Sequence, residues 1–121
     1  MIYRRKRYQV DTSIVEEFNN HFNNTLLPTQ LKYGSRLVGR WMTENNDDRV
    51  EIFAIWQYDS YGDYERIESN VRNDMEHVQR VQSWFKKMGG REKLKEVFHR
   101  IDEDFLESTV PNENTILSLK K

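Results

Sequence analysis

Val50–Tyr58 reads VEIFAIWQY, nine residues whose apolar side chains fill both alternating faces through Ile52, Phe53, Ala54, Ile55 and Trp56. A strand with one solvated face alternates apolar and polar residues, so this pattern predicts a central strand covered on both sides. The helices of a 121-residue chain suffice to cover one face of a single sheet. A second copy of the chain is therefore the expected cover for the other.

Working outward, Ser35–Glu44 is a second run rich in Leu, Val and Trp, and the polar stretch Asn45–Arg49 joins it to Val50–Tyr58 as a hairpin. Upstream, residues 1–10 mix β-branched and aromatic side chains with basic ones and predict an opening strand, closed by the turn and cap signal Asp11-Thr12-Ser13. Ser13 and Glu16 have capping-box spacing, and Ile14, Phe18, Phe22 and Leu26 recur every four residues, which predicts a helix running toward Gly34. Pro28 should kink that helix or end its first part.

Downstream, Ser60 with Asp63 and Asn73 with Glu76 repeat the capping spacing. One precedes the helical face Tyr64, Ile67 and Val71, the other Val78, Val81, Phe85 and Met88. Gly89-Gly90 is a helix stop. A third short helix is predicted over Arg91–Arg100, with Leu94, Val97, Phe98 and Ile101 on its inner side. Beyond Ile101 the pattern reads two ways: Phe105 continues the helical period, whereas Leu106, Ser108 and Val110 alternate like a strand that Pro111 ends.

Taking the last segment as a strand gives α+β order: a ferredoxin-like βαββαβ arrangement with extra helices before the last strand, its first and third strands central. Residues 1–110 form the expected domain, and 111–121 a C-terminal tail. Arg4, Arg5, Lys6 and Arg7 would then lie in a central strand. Glu103, Asp104 and Glu107 on the adjacent fourth strand are the expected cross-strand partners.

Composition removes several functions. Charged residues make up 32% and mean hydropathy is −0.93, yet six Tyr, six Phe and three Trp supply a core to bury. Lys and Arg number 19 against 20 Asp and Glu, so a net charge of −1 offers no global attraction for nucleic acid or an anionic membrane. With no cysteine, disulfides, thiolate nucleophiles and zinc-thiolate or iron–sulfur sites are excluded. No signal-like apolar run follows the basic amino terminus and no stretch approaches a membrane span, so a cytoplasmic location is expected.

Several segments resemble the NIPSNAP family: Met1-Ile2-Tyr3 with Tyr8; Arg36-Leu37-Val38-Gly39 followed by Trp41, Thr43 and Glu44; and Trp56 followed by Tyr58-Asp59-Ser60 and by Asp63, Glu65 and Arg66. The resemblance spans roughly residues 1 to 110. It implies a ferredoxin-like domain of the dimeric α/β-barrel kind, with no settled activity to carry over. Arg5 stands where an aliphatic residue is usual, and Ala54 where a histidine is often found. Relatives by fold include small cofactor-independent monooxygenases.

The expected site follows from alternation. If Arg5 and Arg7 point to the open face, they share it with aromatic side chains and offer charge to a carboxylate or phosphate of a small ligand. Tyr3, Arg5, Arg7, Trp41 and Trp56 are the candidates for lining a cavity inside the dimeric barrel. A one-residue slip would place Arg4 and Lys6 there instead. The four basic residues alternate between faces, which argues against a nucleic-acid surface. His21, His77 and His99 lack the spacing of a helical metal site, so surface or capping roles are expected and neither a metal nor a cofactor is assigned. No phosphate-binding glycine loop, nucleophile elbow or dinucleotide fingerprint is present. Three functions stay open at this point: a homodimer binding a small organic ligand, a cofactor-independent monooxygenase acting on an aromatic or polyketide-like substrate, and an interaction protein without a pocket.

Overall fold

The computed structural model describes residues 1–43 and 48–110, so the tip of the hairpin and the tail after Val110 lie outside the described residues. Four strands form one antiparallel sheet: β1 (Ile2–Asp11), β2 (Arg36–Met42), β3 (Arg49–Tyr58) and β4 (Phe98–Leu106), in the order β2-β3-β1-β4. This is the expected α+β, ferredoxin-like order with β1 and β3 central. The helices are α1 (Val15–His21), α2 (Leu27–Lys32), α3 (Tyr61–Arg72), α4 (Met75–Lys87) and α5 (Arg91–Val97).

Register decides which half of each strand is core. Val50, Ile52, Ala54, Trp56 and Tyr58 are all buried, while Glu51, Phe53, Ile55 and Gln57 point the other way and remain at least partly accessible. Pairing Tyr8 with Ile52 and Arg4 with Trp56 puts the even-numbered residues of β1 on the helix side. Two apolar clusters result. Val10, Ile14, Phe18, Val50, Ile52, Leu94 and Val97 form one. Phe22, Ala54, Trp56, Tyr58, Ile67 and Val71 form the other.

The first helical region is one run broken by its own sequence. Pro28 has no N–H to give the Asn24 carbonyl, and the chain widens into a π-helical turn over Phe22–Leu26, where Leu27 N–H reaches back to the Phe22 carbonyl. The expected break is thus a π segment, after which α2 resumes with Pro28 in its first turn. Before it, residues Thr12–Ile14 form a 3-10 turn without a side-chain cap, so the Ser13–Glu16 box is not used. The Ser60 cap forms as expected, its hydroxyl accepting from Asp63 N–H at 3.1 Å. Asp74, rather than Asn73, caps α4 by accepting from His77 N–H, and it also accepts from the Tyr33 hydroxyl at 2.7 Å and from Lys32 Nζ at 3.1 Å. These donors hold its carboxyl well below the usual range.

Gly89 and Gly90 end α4 with φ of 100° and 90°, a left-handed turn that a side chain would strain. The helix that follows is shorter than the periodicity predicts: α5 stops at Val97, and Phe98 already pairs with Val10 as part of β4. Backbone pairing along β1 outweighs the local helical pattern. The segment after Ile101 is therefore strand through Leu106. A bulge between the Gln9 and Val10 pairings interrupts the alternation at the start of β4, between Phe98 and Arg100.

Candidate functional site

The open face of the sheet carries four of the five candidate residues. Tyr3, Arg5 and Arg7 project there from β1, and Trp41 projects from β2 against Phe53, with ring centroids 5.4 Å apart. The Trp41 ring lies so close over Gly39 that a Cβ at that position would come within 2.4 Å of it. Trp56 does not join them. It is 4% exposed on the helix side, packed with Phe22 at 6.0 Å, because the period of two that sends Phe53 and Ile55 outward sends Trp56 inward.

The two arginines are already engaged. Arg5 Nη2 lies 2.7 Å from Asp104 Oδ2 with a second bond from Nε at 3.1 Å, and Arg7 Nε lies 2.8 Å from Asp102. Both carboxyls are pulled below their ordinary values by these arginines. The expected cross-strand ion pairs are therefore present, with Asp102 in the place expected for Glu107. On the helix side, the buried Arg4 lies 3.5 Å from Glu68 and 3.8 Å from Glu103, with its guanidinium 5.1 Å from the Tyr64 ring centroid. Around the open-face pairs, Val38, Trp41, Phe53 and Ile55 form an uncovered apolar strip on β2 and β3. Arg5, in a bidentate pair, has little left to offer a ligand, while Arg7 makes a single bond to Asp102, which Arg100 also contacts at 2.7 Å. This face thus sets an apolar strip beside ion-paired side chains.

A ligand-sized hollow lies on the opposite side of the sheet. Its volume is about 380 Å³, within the range of small-molecule sites. Tyr8 of β1 and Phe98 of β4 form its floor, Phe18 of α1 one wall, and Trp84 and Phe85 of α4 the roof. The rings are fixed by one another: Phe18 meets Tyr8 and Phe98 edge-on, each at 4.9 Å. Arg91 and Lys95 of α5 line its solvent side.

His21 stacks flat on Trp84, with centroids 4.1 Å apart and 5° between planes. Burial, with His77 nearby, lowers its pKa to about 4, so the ring is neutral near pH 7. The pair also borders a groove of about 620 Å³ between α1 and α4. That groove is larger, about as open to solvent as the hollow, and chemically mixed, with Glu17, Glu76, Arg80 and Lys87 in its lining. Among the described residues no group of three or more His, Asp or Glu is placed to hold a metal, and no helix is long and apolar enough to cross a membrane.

Sequence reasoning missed the hollow because its walls come from separate elements. Phe18 and Phe85 are legible as core positions of their helices, but nothing local says that the space between them stays unfilled. The one available signal was Arg91 and Lys95 sharing the face of Leu94 on a short helix.

A four-stranded antiparallel sheet with helices on one face, in ferredoxin-like order, defines the class. Within it, the chain belongs to the NIPSNAP family, whose model matches residues 3–103. A solved protein of Agrobacterium tumefaciens aligns with a TM-score of 0.69 at 16% identity, covering 93% of this chain and 98% of its own. A NIPSNAP family protein of the same organism gives 0.68 at 16% identity, covering 93% and 96%. A NIPSNAP domain protein of Burkholderia xenovorans gives 0.65 at 17%, covering 93% and 100%. At these identities the likeness establishes the fold alone. No curated protein matches the chain.

Proposed function

We propose that this NIPSNAP-family chain is a homodimer that binds a small organic ligand, with the open sheet face as its subunit interface and the helix-side hollow as the ligand site. The observation that carries the ligand reading is the solvent-open hollow of about 380 Å³, whose accessible lining is almost wholly apolar and aromatic, a surface that the body of a small organic molecule would shield from water. The dimer reading is supported by the strip of Val38, Trp41, Phe53 and Ile55, which leaves large apolar side chains in water beside already paired charges. Tyr3, Arg5, Arg7 and Trp41 are then contacts between subunits.

Native mass spectrometry of the protein from its own cells, under gentle and then denaturing conditions, tests both parts. A dimer with a reproducible extra mass that is lost on denaturation is the expected result. A monomer at micromolar concentration overturns the interface. Phe53→Asp should convert dimer to folded monomer, because it places a charge in the centre of the strip. Val81→Trp fills the hollow from α4 and should abolish the extra mass while leaving the dimer intact; a mass retained in that variant removes the hollow as its site.

A further inference from the structure

We infer that the ligand of the hollow is an apolar acid, a compact ring system or short aliphatic body carrying one carboxylate, with its body among Phe18, Trp84, Phe85 and Phe98 and its carboxylate at Arg91 and Lys95. This rests on the hollow being a ligand site, and it adds the chemistry that would recognise the ligand.

The charge around the hollow has one sign. Arg91 and Lys95 line it, no Asp or Glu does, and His21 is neutral near pH 7. The two cations stand four residues apart on α5, on the side of the buried Leu94, with about 6 Å between their Cβ atoms by helix geometry. Like charges at that spacing repel, and acidic neighbours would ordinarily relieve them. Here the nearby Glu96 pairs with Lys93 instead, and neither Arg91 nor Lys95 makes an ion pair among the described residues. The Arg91 guanidinium lies 5.8 Å from the centre of the Phe85 ring, which holds the cation against the aromatic roof.

The apolar part of the ligand follows from the rest of the lining. Apart from those cations, the Tyr8 hydroxyl, the His21 ring and the Trp84 indole N–H, the hollow is lined by carbon side chains. A polyol or a phosphate ester would bring more acceptors and donors than these groups satisfy, and each unpaired one would face aromatic carbon at a cost. A single carboxylate on an apolar body leaves nothing unmatched: the body covers the rings, and the head meets an arginine fork and a lysine ammonium at the water's edge.

The test compares 1-naphthaleneacetate with 1-naphthaleneacetamide, two compounds of nearly one shape that differ in charge, by calorimetric titration of the full chain. The acid should bind about tenfold more tightly than the amide at low salt, and the preference should shrink as salt is added. In the double variant Arg91→Gln with Lys95→Gln the acid should fall to the affinity of the amide, while the amide is unchanged. Both positions are exposed, so folding should survive, as circular dichroism would verify. Equal affinity of the two compounds, or a preference for the acid that persists in the double variant, overturns the acid assignment and leaves the hollow as a ligand site. If neither compound binds, or if Val81→Trp leaves both affinities unchanged, the hollow itself is not the site and the inference falls with it.

Discussion

The two faces of the sheet are built from the same strands and have opposite fates. On the helix side, Ile52 is 0% exposed and its neighbours along β3 are sealed by the helices. On the other side, Ile55 and Phe53 of the same strand lie partly in water beside Trp41 and two arginine–aspartate pairs. Both faces are apolar along β3. The difference is that the chain's own helices cover only one of them, so burial on the helix face stabilises the monomer while the open face stays partly in water. The helix side also has a solvent-open hollow lined by aromatic rings, where we propose that a small molecule binds.

This contrast is open to attack, beginning with its largest expected effect. Ile52→Ala should destabilise the chain by about 2–5 kcal/mol in denaturant unfolding, whereas Ile55→Ala should cost less than about 1 kcal/mol when measured dilute enough to be monomeric. If the two cost the same in the monomer, the open face is not open. A cost for Ile55→Ala that grows with protein concentration would sharpen the comparison by tying that face to association.

His21 gives the next effect. Its folded pKa of about 4 lies below the ordinary value of 6.5, so the unfolded chain binds the proton first as pH falls. The stability due to neutral His21 is complete above about pH 6.5 and is lost progressively down to about pH 4, by roughly 1–3 kcal/mol. His21→Phe should flatten that part of the pH–stability curve and keep the stack on Trp84. An unchanged slope in the variant would show that other groups carry the pH dependence.

The smallest effect belongs to the open-face ion pairs. Their side chains are about one-third exposed, so Arg7→Gln should shift the melting temperature only slightly in low salt and less in high salt. A large loss, persisting in high salt, would mean that the pairs are desolvated by a second subunit.

The open-face prediction shows how far the pattern of the chain reaches. The apolar run VEIFAIWQY marks a central strand, and the basic run in β1 with the acidic run near residue 104 anticipates cross-strand pairs. Both are local consequences of a period of two and of charge. The same pattern does not say which half of β3 meets the helices. Trp56 was expected among the open-face residues and lies in the core, because facing is set by pairing with β1 and by helix placement. The start of β4 was hidden in a similar way: Leu94, Val97, Phe98 and Ile101 have helical spacing, and only the ladder to β1, with its bulge, turns Phe98 into strand.

Local sequence accounts for the opening strand, the hairpin of β2 and β3, a break in the first helical run near Pro28, the stop at Gly89-Gly90 and the absence of thiol chemistry, because each depends on composition or on spacing within a few residues. Tertiary packing sets the pairing of Arg5 with Asp104 and of Arg7 with Asp102, and it brings rings from β1, α1, α4 and β4 around a solvent-open hollow with Arg91 and Lys95 at its edge. Those features depend on how far apart packed elements stand, and the distance between packed elements is the balance of many side-chain volumes that no single stretch of chain encodes.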